Sequence, residues 1–247
     1  MASLFRFAAP PEFYRLAGQA VPVFGTLAAV LTGIGLYLGF FVAPTDAQQG
    51  EVYRIMFIHV PAAWMAMFVY LVMAFWAGVG LVFNTRLSSV MASALAPTGA
   101  LMAFLSLWTG ALWGRPTWGT YWDWDARMTS TLILLFLYMG FMALHSAIDD
   151  VRRADRAAGV LALVGVVNVP IIYFSVQWWN TLHQGASITL GKAPTIAAPM
   201  LWSILVMALA FWMYSIAVAL TRARALVLER ERGAEWVRQV SAGRTSA

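Results

Sequence analysis

Two histidines and one unusually aromatic segment are the parts of the sequence best suited to chemistry. His59 lies in the segment 53–65 and His183 in the segment 178–185, far apart along the chain. Between them, residues 113–127 hold four Trp and one Tyr, mixed with two Asp and two Arg. Neutral imidazole is a good iron ligand, and indole faces pack well on a flat apolar ring. These residue types indicate binding of a large planar group that carries iron, since no acid–base pair or nucleophile accompanies them.

Six long apolar segments must position these residues. The 247-residue chain is 61% hydrophobic and only 11% charged, whereas soluble domains carry about 25% charged residues. It contains six runs without Asp, Glu, Lys or Arg, and each is long enough to cross a bilayer, which takes about 20 apolar residues. We therefore predict an all-α membrane protein with six transmembrane helices, near 20–42, 57–83, 90–112, 128–148, 158–177 and 197–220.

The distribution of Lys and Arg predicts the orientation of these helices. Six spans put both termini on one side, together with the turns near 84–89 and 149–157. That side collects twelve arginines, against Arg54, Arg115, Arg127 and Lys192 on the other. Because cytoplasmic loops are enriched in Lys and Arg, we predict cytoplasmic termini. The loops 43–56, 113–127 and 178–196 then face outward, into the periplasm if the membrane is a bacterial inner membrane.

The shared side of these three loops brings the two histidines to the aromatic segment. Two imidazoles flanking an aromatic platform suit haem, whose iron is commonly held by His and whose macrocycle is large, flat and apolar. Haem propionates are anionic, and Arg pairs with carboxylates through two parallel hydrogen bonds. Three of the four outer cations are arginines near these loops, namely Arg54, Arg115 and Arg127.

Ordinary interpretations compete for each residue taken alone. Trp residues at a bilayer boundary usually belong to the interfacial aromatic belt, although a belt does not explain four Trp in one loop. A boundary His is as often a helix cap as a ligand. Asp123 and Asp125 are equally suited to capping the fourth helix or pairing with Arg127. His145, near the inner end of the fourth span, is expected to pack or cap rather than to bind iron.

The rest of the chain indicates the domain boundaries and excludes several functions. We expect residues 1–19 to form an interfacial lead, 20–220 the six-helix domain and 221–247 a charged cytoplasmic tail. The first apolar segment is too long for a signal peptide and is expected to remain as an anchor. The chain has no Cys, hence no disulfide or thiolate ligand, and Gly191-Lys192 lacks the Ser or Thr of a nucleotide loop. The net charge of +5 reflects topology rather than nucleic-acid binding.

Three segments resemble one family of membrane proteins. Residues 113–130 read WGRPTWGTYWDWDARMTS and are similar to the Trp-rich "WWD" signature of haem-handling proteins. Residues 53–65, YRIMFIHVPAAWM, and 178–185, WWNTLHQG, also match within that group. Together they resemble the CcmC family, the haem exporter protein C of cytochrome c maturation. The likeness covers most of residues 20–220 and includes the number and order of the spans.

The resemblance implies a site, a cargo and partners. Haem b would be a transient cargo, with His59 and His183 as axial ligands. The platform formed by the Trp-rich loop would comprise Trp113, Trp118, Tyr121, Trp122 and Trp124, together with Asp125. The family presents haem to a periplasmic haem chaperone, and works beside an ATP-binding-cassette transporter and a small single-span subunit. The chain departs from the expected pattern at Tyr121, where Trp is usual, and at Asp123, where an aliphatic residue is usual.

Three alternative functions are weighed against haem delivery. A haem lyase subunit that attaches haem directly to apocytochrome c would be larger, with more spans and more His. A multispan transporter would place ionisable residues in mid-membrane, and no predicted span has them there. A structural subunit would use the Trp-rich loop to dock a partner, a role to which aromatic anchors are suited. An absorption spectrum of the purified protein separates this last role from haem binding.

Overall fold

A computed structural model of the chain describes residues 9–183, 185, 187–188, 191 and 193–242. Within these residues the protein is helical, with no β-strand. Six segments are long and apolar enough to cross a membrane. The predictions of an all-α fold and six spans are therefore confirmed. The helices are α1 Pro10–Tyr37, α2 Met56–Phe83, α3 Arg86–Trp118, α4 Ala126–Ala147, α5 Val151–Gly165, α6 Asn168–Trp178, α7 Ala198–Arg230 and α8 Glu235–Ser241.

Several helix ends differ from those predicted. Helix α1 begins at Pro10, ten residues early, because proline with its fixed φ is well placed in a first helical turn. It continues through a π-helical turn, Leu38–Val42. A 3-10 helix, Glu51–Ile55, runs directly into α2, so Pro61 lies in the second turn of α2 and not the first. The fifth span is made of two helices, α5 and α6.

The largest difference concerns the Trp-rich segment predicted as a loop over 113–127. Its first part is the end of α3, which remains helical to Trp118 despite Pro116. The Thr117 hydroxyl donates to the carbonyl of Trp113 at 2.7 Å, giving this distorted turn an extra hydrogen bond. The helix ends at Gly119, whose φ of 82° is left-handed and suits glycine. Only residues 119–125 are a loop.

Small residues let large side chains fill the core between α2, α3, α4 and α5. The rings of Tyr70 and Tyr138 meet edge to face at 5.0 Å, and the Tyr138 hydroxyl donates to the carbonyl of Ala66 at 2.9 Å. A Cβ atom at Gly99 would lie 2.0 Å from Cζ of Tyr138, and one at Gly165 would lie 2.0 Å from the Tyr70 hydroxyl. Close approach at small residues is a common way for membrane helices to pack.

We expect Gly99→Ala to destabilise the protein by about 3 kcal/mol or more, since overpacking a filled core costs roughly 1–3 kcal/mol and here a rigid ring must move. The melting temperature in detergent measures the effect. Gly25→Ala is the matched control, because a Cβ atom there meets nothing within 4 Å. Equal melting temperatures for the two variants would contradict the packing described for Tyr138.

The two ends of the helical bundle carry different residues. At one end, the Trp113 indole N–H donates to Gln49 at 2.8 Å, and His183 lies 3.1 Å from Asp125, so the three predicted outer loops meet there. At the other end, the ring of Trp236 in α8 lies 5.8 Å from that of Tyr14 in α1. The predicted tail thus includes the end of α7 and a short helix that packs back on α1. We name the first end the loop end.

Candidate haem site

A large cavity opens between the helices at the loop end. It comprises two adjoining spaces that share seven lining residues, including His59, Gly110, Trp118, Arg127 and His183. The larger space has an interior volume of about 270 Å³ and is partly open to the outside of the protein. Small-molecule sites usually measure roughly 300–1,000 Å³, so the space holds part of a large ligand, the rest of which would extend through the opening. Its apolar wall comes mainly from α2 and α7, with Val60, Ala63, Trp64, Met67, Met200 and Ile204.

His59 is held in the first turn of α2 by two features of α3. Its Nδ1 atom lies 3.1 Å from the hydroxyl oxygen of Thr109. Its Cε1 atom would lie 3.0 Å from a Cβ atom at Gly110, so the ring occupies space that only glycine leaves open. The edge of the ring also meets the indole of Trp113, with centroids 5.7 Å apart. These contacts fix both the position and the plane of the imidazole.

His183 lies in the loop before α7 and is fixed by a carboxylate. Its Nδ1 atom is 3.1 Å from Oδ2 of Asp125, and its backbone N–H donates to the Thr181 hydroxyl at 3.0 Å. The Thr181 hydroxyl in turn donates to the same Asp125 oxygen at 2.5 Å. The ring of Trp118 lies 5.0 Å from the imidazole, centroid to centroid. The loop that carries His183 is thereby attached to α3 and to the start of α4.

Asp125 supports the site rather than lining it. It is the N-cap of α4, where its Oδ1 atom accepts from the backbone N–H of Met128 at 2.7 Å. Burial alone favours the neutral carboxyl, but hydrogen bonds from His183, the Met128 backbone and Thr181 outweigh it and hold the pKa of Asp125 below its usual range. The carboxylate is therefore charged at neutral pH and is fully engaged with protein donors.

The aromatic residues of the Trp-rich segment divide into two groups. Trp113 and Trp118, both in α3, line the cavity. Tyr121, Trp122 and Trp124 follow in the loop and are absent from the walls of both spaces. Tyr121 and Trp124 are 57% and 74% exposed, and Trp122 packs edge to face against Trp124. The structure thus brings two of the five predicted aromatic residues to the histidines, and leaves Tyr121 and Trp124 exposed with Trp122 half-buried beside them.

The three candidate arginines have different surroundings. Arg54 pairs with Glu51 and donates to the carbonyls of Gly39 at 2.5 Å and Ala43 at 3.1 Å. Arg115 donates to the carbonyl of Gly119 and lies over the ring of Tyr121.

Arg127 lines both spaces of the cavity. Among the described residues, its guanidinium takes part in no hydrogen bond and no ion pair within 4 Å. The nearby carboxylate of Asp125 is already occupied by other donors. Of the three arginines, Arg127 is therefore the one that presents an uncommitted positive charge to the space between the histidines.

Several residues of the site were missed by sequence reasoning. Thr109 and Gly110 lie inside a predicted span, where small and hydroxyl residues are ordinary, so the sequence has no signal that singles them out. Gln49 and Thr181 lie in polar loops that offer many equivalent candidates. His145 lies at the opposite end, with Nε2 3.2 Å from the Ser93 hydroxyl, far from the cavity of His59 and His183. Asp123 is exposed.

Gly110 gives a test of the geometry around His59. We expect Gly110→Val to displace the imidazole, since even a single added Cβ atom would lie 3.0 Å from Cε1. Bound haem should fall strongly, while the amount of folded protein changes little because the cavity lies beside this position. The haem-to-protein ratio after purification measures the effect. Gly33→Val, at a glycine with nothing within 4 Å, should retain the wild-type ratio.

Comparison with known proteins gives one consistent result. Residues 3–238 match the family described as "Heme exporter protein C". The chain is 45% identical to "Heme exporter protein C" of Escherichia coli strain K12 over 239 residues, which is 96% of each chain. It is 46% identical to the protein of that name from Haemophilus influenzae, over 96% of this chain and 97% of the other. For Bradyrhizobium diazoefficiens the identity is 48%, over 92% and 86%.

Proposed function

Since the chain belongs to the heme exporter protein C family, we propose that it binds haem at the loop end and delivers it to a periplasmic haem chaperone during maturation of c-type cytochromes. One observation carries the proposal. His59 and His183 come from separate elements, line one cavity, and have their Nδ1 atoms hydrogen-bonded to the protein. Their Nε2 atoms remain available for a shared ligand, as is usual for metal-binding histidines.

The residues that line this cavity suit haem in their charge and apolar character. Iron takes Nε2 of His59 and Nε2 of His183 as its axial ligands, and the four pyrrole nitrogens complete its coordination. The apolar wall and the indoles of Trp113 and Trp118 bury the macrocycle, which stabilises binding by roughly 25 cal/mol per Å² of apolar surface. The free guanidinium of Arg127 pairs with a propionate. Haem b, held without a covalent bond, is the cargo.

The arrangement suits a carrier that later releases its ligand. Two histidines leave no open position on the iron, which suits storage better than oxygen chemistry. His183 lies on a loop, and the cavity is partly open, so an edge of the macrocycle remains within reach of an acceptor. Tyr121, Trp122 and Trp124 extend the platform toward the outside, next to that edge. Orientation of the exposed haem edge is then the contribution of this chain to covalent attachment on the chaperone.

The proposal includes a location and partners. The protein is a multi-pass protein of the bacterial inner membrane, with its loop end facing the periplasm and its termini in the cytoplasm. The charge asymmetry of the loops supports this orientation. An ATP-binding-cassette transporter and a small single-span subunit work beside it, as the family resemblance implies. The lipid bilayer surrounds the exposed apolar faces of its helices.

The donor role is tested in cells that lack this chain. The chaperone should still be made but should carry no covalent haem, and expression of the protein should restore haem-loaded chaperone. Haem-stained gels, with immunoblots for the chaperone, measure both quantities. If the chaperone acquires its normal haem without this chain, the donor role fails and a docking subunit is the better description. A purified protein without a Soret band would reject haem binding itself.

The division of the aromatic residues gives a further prediction. Trp118→Ala removes a ring from the cavity wall and should lower retained haem several-fold, whereas Trp124→Ala removes an exposed ring and should leave retained haem near the wild-type level. The physical reason is that only the indole in the cavity wall gains apolar contact with the macrocycle. The haem-to-protein ratio of the purified variants is the measurement. A greater loss in Trp124→Ala would mean that haem lies on the loop and not in the cavity.

A further inference from the structure

The two histidines of the candidate site have different hydrogen-bond partners. His59 Nδ1 lies 3.1 Å from the hydroxyl of Thr109, a neutral group on α3. His183 Nδ1 lies at the same distance from Asp125, a charged carboxylate. The partner of a metal-binding imidazole sets its tautomer and its strength as a donor to the metal. The two histidines therefore differ as ligands, although their Nδ1 atoms lie at the same distance from their partners.

The hydroxyl of Thr109, beside the backbone carbonyl of Ser106, sets the tautomer of His59. A threonine hydroxyl has one proton, and this one is donated to the carbonyl of Leu105 at 2.6 Å, one turn earlier in α3. The oxygen is then left to accept, so His59 must carry its proton on Nδ1. The Nε2 atom keeps its lone pair and is the atom free for iron. Thr109 is thus a positioning residue that need not touch haem.

The carboxylate of Asp125 has a stronger effect on His183. It accepts from the imidazole, from the Thr181 hydroxyl and from the backbone of Met128, which keep it charged and fixed. A charged acceptor attracts the Nδ1 proton and raises electron density on Nε2, so the imidazole becomes a better donor to a metal. A neutral hydroxyl does this to a smaller extent.

We propose that Thr109 fixes His59 as an Nε2 ligand, and that the two axial ligands are unequal, His183 being the stronger donor to iron and His59 the weaker. The inference rests on the proposed binding of haem by both histidines. Its consequence concerns release. A cargo held by one strong and one weak bond stays on the carrier through His183 while the bond to His59 opens first.

The inequality is tested in full-length protein purified with haem. His59→Gly leaves His183 as the sole protein ligand, and His183→Gly leaves His59. In the ferrous state the iron–histidine stretching vibration, measured by resonance Raman, should have the higher frequency in His59→Gly. Adding Asp125→Asn should lower that frequency in His59→Gly and leave it unchanged in His183→Gly. Equal frequencies, or the opposite order, would overturn the inequality.

The role of Thr109 is tested by replacing its hydroxyl while keeping its shape. Thr109→Val has the same size and no acceptor, and should weaken haem binding roughly 10–100-fold, the usual cost of losing a partner of a metal ligand. It should also speed carbon monoxide binding to ferrous haem, because the His59 bond opens more readily. Thr109→Ser keeps the hydroxyl and should behave as the wild type. A Thr109→Val protein with wild-type affinity and carbon monoxide kinetics would reject this role.

Failure of this inference differs from failure of the proposed function. If the wild-type protein binds no haem, or binds it without ligation by both His59 and His183, the proposed function fails. If it binds six-coordinate haem through both, while the two single-ligand variants give one frequency and Thr109→Val resembles wild type, only the inequality and the role of Thr109 are lost.

Discussion

Replacing both His59 and His183 with alanine is expected to abolish the low-spin spectrum of six-coordinate haem and to lower haem affinity about 100-fold or more. The expected size follows from a comparison, since losing only the hydrogen-bond partner of a metal ligand already costs roughly 10–100-fold. Each single variant should retain some haem through the other histidine, but in an altered, five-coordinate or water-ligated form. Absorption spectra of the oxidised and reduced proteins measure the ligation.

The fold of these variants should be preserved, because neither histidine belongs to the hydrophobic core around Tyr70 and Tyr138. His145→Ala is the matched control. It removes an imidazole that is also hydrogen-bonded to a hydroxyl on α3, but at the opposite end of the bundle. Its spectrum should equal that of the wild type. A normal low-spin spectrum in the double variant, in protein with the wild-type melting temperature, would exclude both histidines as ligands.

The six spans were predictable because lipid imposes a simple rule. A chain that crosses hydrocarbon must satisfy its backbone hydrogen bonds internally, and long uncharged runs therefore become helices. The local sequence predicts the ends of the helices less well than their number. The end of α3 passes Pro116, a residue that disfavours a helix interior, because Trp113 in the same turn packs on the cluster that includes Tyr53 and Phe57 and donates to Gln49. Such contacts between distant residues have no local signature.

The candidate site was predictable in its residue types and less so in its geometry. Spacing and topology brought His59 and His183 to one end, as the structure has them. The choice among Arg54, Arg115 and Arg127 was left open, although Glu51 lies three residues before Arg54 and is the usual spacing for an ion pair on a helix. The role of Thr109 could not be predicted from the sequence, because its hydrogen bond to His59 joins residues on different helices.

The second large effect is expected at Arg127. Arg127→Gln should weaken haem binding roughly 10–100-fold, because hydrogen bonds to charged groups contribute about 1.5–3 kcal/mol and each 1.4 kcal/mol is a factor of ten. Arg127→Lys keeps the charge but not the planar fork that pairs with a carboxylate. Its haem affinity should lie between those of the wild type and Arg127→Gln. Haem that does bind to Arg127→Gln should still be six-coordinate, because the histidines are untouched.

Arg115→Gln is the control for loss of charge at the loop end. It removes the same charge from a neighbouring position, but Arg115 is exposed and already bonded to the Gly119 carbonyl. Its haem affinity should stay near that of the wild type. If both variants weaken binding equally, Arg127 acts only through the general positive potential at this end, and not as the specific partner of a propionate.

A modified ligand separates the propionate contact from every other effect of the substitution. In haem dimethyl ester both carboxylates are neutral, so the ester should bind the wild-type protein more weakly than haem does. It should bind Arg127→Gln about as well as it binds the wild type, because the charge that Arg127 pairs with is already gone. An unchanged preference for haem over its ester in Arg127→Gln would mean that a different residue holds the propionate, and that Arg127 is uncommitted for another reason.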